Sequence, residues 1–93
     1  MRVEDVERTV RIVNASGLHA RPCHALVSRA LGFSSELRVA CGAREVNGKS
    51  ILELMTLSAP CDAELRFRAR GDDAGALVDA LAALVESGFD ERD

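Results

Sequence analysis

The sequence predicts an α+β fold: an open-faced two-layer sandwich in which a four-stranded antiparallel sheet is covered on one face by three helices. Four segments alternate apolar and polar residues at a period of two, which gives a strand one buried and one wet face. Three others repeat apolar residues at spacings of three and four, the mark of a helix with one buried stripe. Their order is βαββαβα, and elements with a single apolar side bury it best in two layers.

The first strand is expected over residues 7–14, where Val10 and Ile12 alternate with Thr9, Arg11 and Val13. A helix over residues 20–31 follows from Cys23, Leu26, Val27, Ala30 and Leu31, with Gly32 just past its end. Leu37, Val39 and Cys41 alternate in the second strand, and after Gly42-Ala43 the run Arg44 to Val46 returns as a hairpin. Ser50-Ile51-Leu52-Glu53 fits a capping box, and Pro60 bars continuation, so a short helix over residues 51–57 is expected. Leu65, Phe67 and Ala69 alternate with Glu64, Arg66, Arg68 and Arg70 in the clearest strand, ended by Gly71-Asp72. Asp72 or Asp73 is the expected cap of a last helix whose stripe is Leu77, Leu81, Leu84 and Val85 with Ala76 and Ala80, ending at Ser87-Gly88. Asp90-Glu91-Arg92-Asp93 reads as a solvated tail.

Ninety-three residues suit one small domain over 1–93. With 47% hydrophobic and 29% charged residues and a net charge of -3, the composition is that of a globular protein, not of a disordered or nucleic-acid-coating chain. The first residues, Met1-Arg2-Val3-Glu4-Asp5, mix both signs and lack the apolar run of a signal peptide or membrane span, so a cytoplasmic protein without membrane contact is expected. Cys23, Cys41 and Cys61 form no CxxC pair and would leave one thiol over in any disulfide scheme, which favours a reducing compartment.

The stretch Gly17-Leu18-His19-Ala20-Arg21-Pro22 concentrates chemistry. Pro22 is tolerated in a first turn, where its missing N–H has no intrahelical partner to lose, so it places the helix start near Ala20. His19 then stands at the mouth of a helix, where unpaired N–H groups and the helix dipole favour an anion. Arg21 adds a planar, permanently charged guanidinium suited to phosphate oxygens, and Ala20 and Ser16 complete a candidate phosphate site, with Asn14 near in sequence. Imidazole is a fitting nucleophile for a phosphoryl relay, since its N–P bond is reactive enough to be passed on. Further along, Asn47-Gly48-Lys49-Ser50 leads into Ile51, Leu52 and Met55, which serve either as core or as a docking surface.

These two motifs, Gly17 to Pro22 and Asn47 to Leu52, resemble the phosphohistidine signature and the serine-site segment of HPr, the histidine-containing phosphocarrier of the bacterial phosphoenolpyruvate-dependent phosphotransferase system. The resemblance covers nearly the whole chain and implies the sandwich read above. It implies that His19 takes a phosphoryl group on Nδ1 from phosphorylated enzyme I and gives it to an enzyme IIA domain, with Arg21 stabilising the phosphate. It further implies that Ser50 is a regulatory phosphorylation site for a serine kinase, that Ile51, Leu52 and Met55 join the front of the first helix as the partner-binding face, and that the carrier needs no obligate cofactor. A monomer is expected. Cys23 stands where the family commonly has alanine, and Asp62 stands at a frequent turn glycine, which aspartate replaces better than most residues where φ is positive. The ending Ser87-Gly88-Phe89-Asp90-Glu91 also resembles the nitrogen-related NPr branch, so sugar uptake and nitrogen-type regulation both stay open.

Other readings attach to the same residues. His24 is a surface bystander on the first helix, while His19, Cys23 and His24 would make a metal site only with a fourth ligand of recognisable spacing. Arg66, Arg68 and Arg70 read as a solvated strand face, since no aromatic residues interleave them as in a nucleic-acid surface. A regulatory module that binds a protein without transferring phosphate is the alternative function, and a metal-trafficking domain a third, opposed by the lack of a CxxC.

Overall fold

The computed structural model of this chain describes residues 3–90. Its strands are β1 (Glu4–Arg11), β2 (Glu36–Cys41), β3 (Arg44–Asn47) and β4 (Glu64–Gly71); its helices are α1 (Ala20–Ala30), α2 (Ile51–Met55) and α3 (Ala74–Glu86), followed by a 3-10 turn at Gly88–Asp90. The strands form one sheet in the order β1-β4-β2-β3, every neighbouring pair antiparallel. This is the open-faced α+β sandwich that the alternation predicts. Leu65, Phe67 and Ala69 of β4 turn inward and are wholly buried, while Arg66, Arg68 and Arg70 stay exposed. On that open face Arg70 is flanked by Asp5 and Glu36, and Arg68 pairs with Glu45 at 3.2 Å, so the arginines stand among carboxylates. The core joins this inner face to Leu26 and Val27 of α1, Leu54 of α2 and Leu77 and Leu81 of α3. Each such fully buried side chain contributes about 1.5–3 kcal/mol relative to exposure.

Three expectations shift. β1 starts and ends three residues before the predicted strand of residues 7–14, because its pairing with β4 runs from Glu4 opposite Gly71 to Arg11 opposite Glu64. Arg8 hides this in the sequence: it interrupts the inward series Val6, Val10, Ile12, yet it reaches along the sheet edge to Asp79 at 3.2 Å and Glu86 at 3.7 Å on α3. Helix α2 stops at Met55, two residues short of Leu57, as its last turn tightens into bonds from Thr56 N to the Glu53 carbonyl and from Leu57 N to the Leu54 carbonyl. The buried stripe of α3 is Ala74, Leu77, Val78, Leu81, Ala82 and Val85, leaving Leu84 half-buried and Ala76 exposed.

Asp73 holds the N-cap position of α3, but its carboxylate makes no cap bond there. It accepts instead from Ser34 N and Ser35 N, both at 2.9 Å, and from both serine hydroxyls, tying the turn after α1 to the start of α3. After α3, Gly88, Phe89 and Asp90 all have positive φ, and this turn returns Phe89 to the core at 8% exposure. Met1, Arg2 and the tail residues Glu91, Arg92 and Asp93 lie outside the described residues.

Candidate functional site

The segment between β1 and α1 is a folded turn. Gly17 N donates to the Asn14 carbonyl at 3.1 Å, and the buried Asn14 side chain returns the bond, its Nδ2 donating to the Gly17 carbonyl at 2.8 Å. Asn14 therefore shapes the loop from inside, while Ser16 is exposed upon it. Gly17 needs its φ of 68°, and a Cβ there would lie 2.5 Å from the Ala59 carbonyl oxygen. Only glycine fits so close a backbone approach.

His19 is the N-cap of α1, with extended backbone (φ -97°, ψ -169°) and its carbonyl accepting from Cys23 N at 3.1 Å. It is half-buried, and its backbone N–H donates to the Gly17 carbonyl at 3.1 Å. Ala20 and Arg21, both exposed, open the helix, and Pro22 follows as a buried residue. In this geometry the first-turn N–H groups of Ala20 and Arg21 have no intrahelical acceptor, and the positive end of the helix dipole lies at the histidine. No acidic residue occupies that first turn to compete with an anion.

Cys23 faces the other way. It is fully buried, and burial pushes its thiol up to about 11, so the thiolate that a metal site would require is disfavoured. His24 is exposed on α1, its Nδ1 lying 3.5 Å from Ser28 Oγ.

The second motif closes β3 and opens α2. Ser50 Oγ accepts from Glu53 N at 3.2 Å, the first half of the expected capping box. The return bond goes elsewhere, because Glu53 Oε1 accepts from Asn47 N at 3.0 Å and so staples the end of β3 to the helix. Leu52 is 79% and Met55 42% exposed, whereas Ile51 is half-buried against the core and Leu54 is completely buried. The structure thus separates residues that the sequence left together: Leu52 and Met55 are an outward apolar pair, Ile51 borders it, and Leu54 holds the helix down. No helix among the described residues is long and apolar enough to cross a membrane.

Sequence reasoning missed the backing of the site. Leu18 N donates to the Ala59 carbonyl at 2.8 Å, so the loop after α2 supports the histidine loop. Pro60 signalled only a helix stop; the long-range contact has no local signature.

The family described as PTS HPr component phosphorylation site matches residues 6–87 of this chain. The chain belongs to the HPr family. Among its HPr relatives, the phosphocarrier protein HPr of Treponema pallidum is 36% identical over 87 residues, covering 94% of this chain and 99% of that protein. The phosphocarrier protein NPr of Shewanella violacea is also 36% identical, covering 92% of this chain and 94% of its own length. The solved structure of HPr from Thermoanaerobacter tengcongensis superposes with a TM-score of 0.89 at 39% identity, over 95% of this chain and 99% of that one. The HPr fold and the resemblance drawn from the two motifs therefore agree, and relatives named HPr and NPr match at the same identity.

Proposed function

We propose that this chain is a phosphotransferase-system carrier that takes a phosphoryl group on His19 from phosphorylated enzyme I and passes it to an enzyme IIA domain. The observation that carries this reading is His19 at the N-cap of α1, followed by Arg21 in the first turn, within a chain of the HPr family. A loose phosphoryl-transfer transition state asks for a positioned nucleophile and fixed donors more than for covalent chemistry, and this site supplies both. The lone pair of a His19 ring nitrogen forms the new N–P bond as the bond from phosphorus to the donor breaks and its electron pair returns to the donor. The first-turn N–H groups and the Arg21 guanidinium meet the phosphate oxygens, and the reverse sequence delivers the group onward. Family membership weighs against a module that binds without transfer.

Leu52 and Met55, bordered by Ile51, supply the apolar patch on which partners dock briefly, and the exposed Arg21 steers acidic surfaces. A serine kinase acting on Ser50 would place a dianion against this patch, so Ser50→Asp is expected to raise the KM for transfer from enzyme I while leaving thermal stability near wild type. The carrier works in the cytoplasm as a monomer, since nucleophile, donors and patch all lie on one chain; sedimentation gives a single 10.0 kDa species on this reading.

Incubation with enzyme I and labelled phosphoenolpyruvate tests the central claim. Wild type acquires acid-labile label and His19→Ala none. An unlabelled wild type with competent enzyme I overturns the carrier reading in favour of the binding module.

A further inference from the structure

The loop that carries His19 is held at both ends by one segment, residues 59–63, that lies outside both motifs. At the loop's entry, Asp62 N donates to the Ile12 carbonyl at 2.8 Å and Ile12 N to the Ala63 carbonyl at 2.9 Å. At its exit, Leu18 N donates to the Ala59 carbonyl at 2.8 Å, and a Cβ on Gly17 would meet Ala59 O at 2.5 Å and Pro60 Cα at 2.9 Å. All of these contacts are made by backbone atoms, so the position of the segment passes to the loop without depending on any rotamer. His19 is one residue beyond the last of them, bound through its own N–H to the Gly17 carbonyl.

The same segment grows out of the docking helix. After α2 the turn bonds end with Ser58 N donating to the Met55 carbonyl at 3.3 Å, and Ser58 then takes a φ of 49°. Asp62 has a φ of 72°, so two left-handed residues bracket Ala59, Pro60 and Cys61. L-residues adopt that region at a cost, and they hold it where the surroundings over-determine them. Between them Pro60 restricts its own φ, and Ala59 is buried at 3% exposure.

We propose that Ala59 and Pro60 form a ledge that positions His19 and makes α2 and the phosphoacceptor one rigid unit. A partner seated on Leu52 and Met55 then meets a histidine already set in attack geometry. The proposal rests on the carrier reading above and extends it to residues that touch no phosphate. Loosening the ledge leaves the docking side chains in place and disturbs orientation alone, where a misplacement of about 1 Å costs up to about a hundredfold in rate.

The test uses the full chain with Pro60→Gly, which frees the backbone, and Pro60→Ala, which restores part of its stiffness. Two readouts are taken: kcat and KM for transfer from phosphorylated enzyme I, and the NMR chemical shifts of the His19 ring without any partner. Pro60→Gly is expected to lower kcat about tenfold at unchanged KM and to displace the ring resonances, with Pro60→Ala recovering most of both. A lowered Tm with kcat, KM and ring resonances all at wild-type values reduces Pro60 to a structural role and overturns the proposal. A rise in KM alone also overturns it, assigning the ledge to the docking surface. If wild type accepts no phosphoryl group, the carrier reading falls by itself, and unmoved ring resonances in Pro60→Gly then overturn the positioning role separately.

Discussion

Asp73 and His19 both stand at helix N-caps without a side-chain cap bond, and the Asp73 carboxylate is engaged by Ser34 and Ser35 instead. The Asp73 carboxyl, at an ordinary value of 3.8, is held down at about 2, first by the Ser35 hydroxyl and then by the Ser34 backbone N–H. A carboxyl lowered on folding contributes stability above its unfolded value and loses it as pH falls toward the folded one. The stability of wild type is therefore expected to decline from about pH 3.8 toward about pH 2, and Asp73→Asn to flatten that part of the curve; denaturant midpoints across this window measure it. At residue scale the helix mouth was legible, because His19, Arg21 and Pro22 mark the start of α1 within one helical turn. The partners of Asp73 were not, since Ser34 and Ser35 lie 38 or more positions away. Helix-cap chemistry in the sequence names a position, and the competing donors that claim its side chain come from elsewhere in the fold.

Helix α2 has too few turns for a periodicity argument to assign its faces. Its five residues include Ile51, Leu52, Leu54 and Met55, and any of them reads as core. Packing chose Leu54, wholly buried, and left Leu52 79% exposed. Leu54→Ala is expected to destabilise the fold by about 2–5 kcal/mol, whereas Leu52→Ser changes stability by less than about 0.5 kcal/mol and raises the KM for transfer. Urea unfolding and transfer kinetics on the same pair of variants separate the two roles, and equal stability losses would dissolve the distinction. Strand β4 is the opposite case. Its alternation runs unbroken over eight residues, so which side faces the core was plain from the sequence alone.

For the whole molecule, the βαββαβα order and the amphipathic elements determined the two-layer sandwich, because one-sided apolar elements have few ways to bury those sides together. The sequence by itself also determined where His19 stands: histidine, arginine and proline define a helix mouth through local backbone rules. Tertiary structure decided the rest. It set β4 between β1 and β2, drew β1 back to residues 4–11 through its ladder, turned Phe89 into the core and brought Ala59 to the amide of Leu18. Periodicity reports how one element divides its own faces. Register, the choice among equivalent apolar residues and the backbone contact behind His19 depend on which distant segment arrives, and only the folded chain brings the two together.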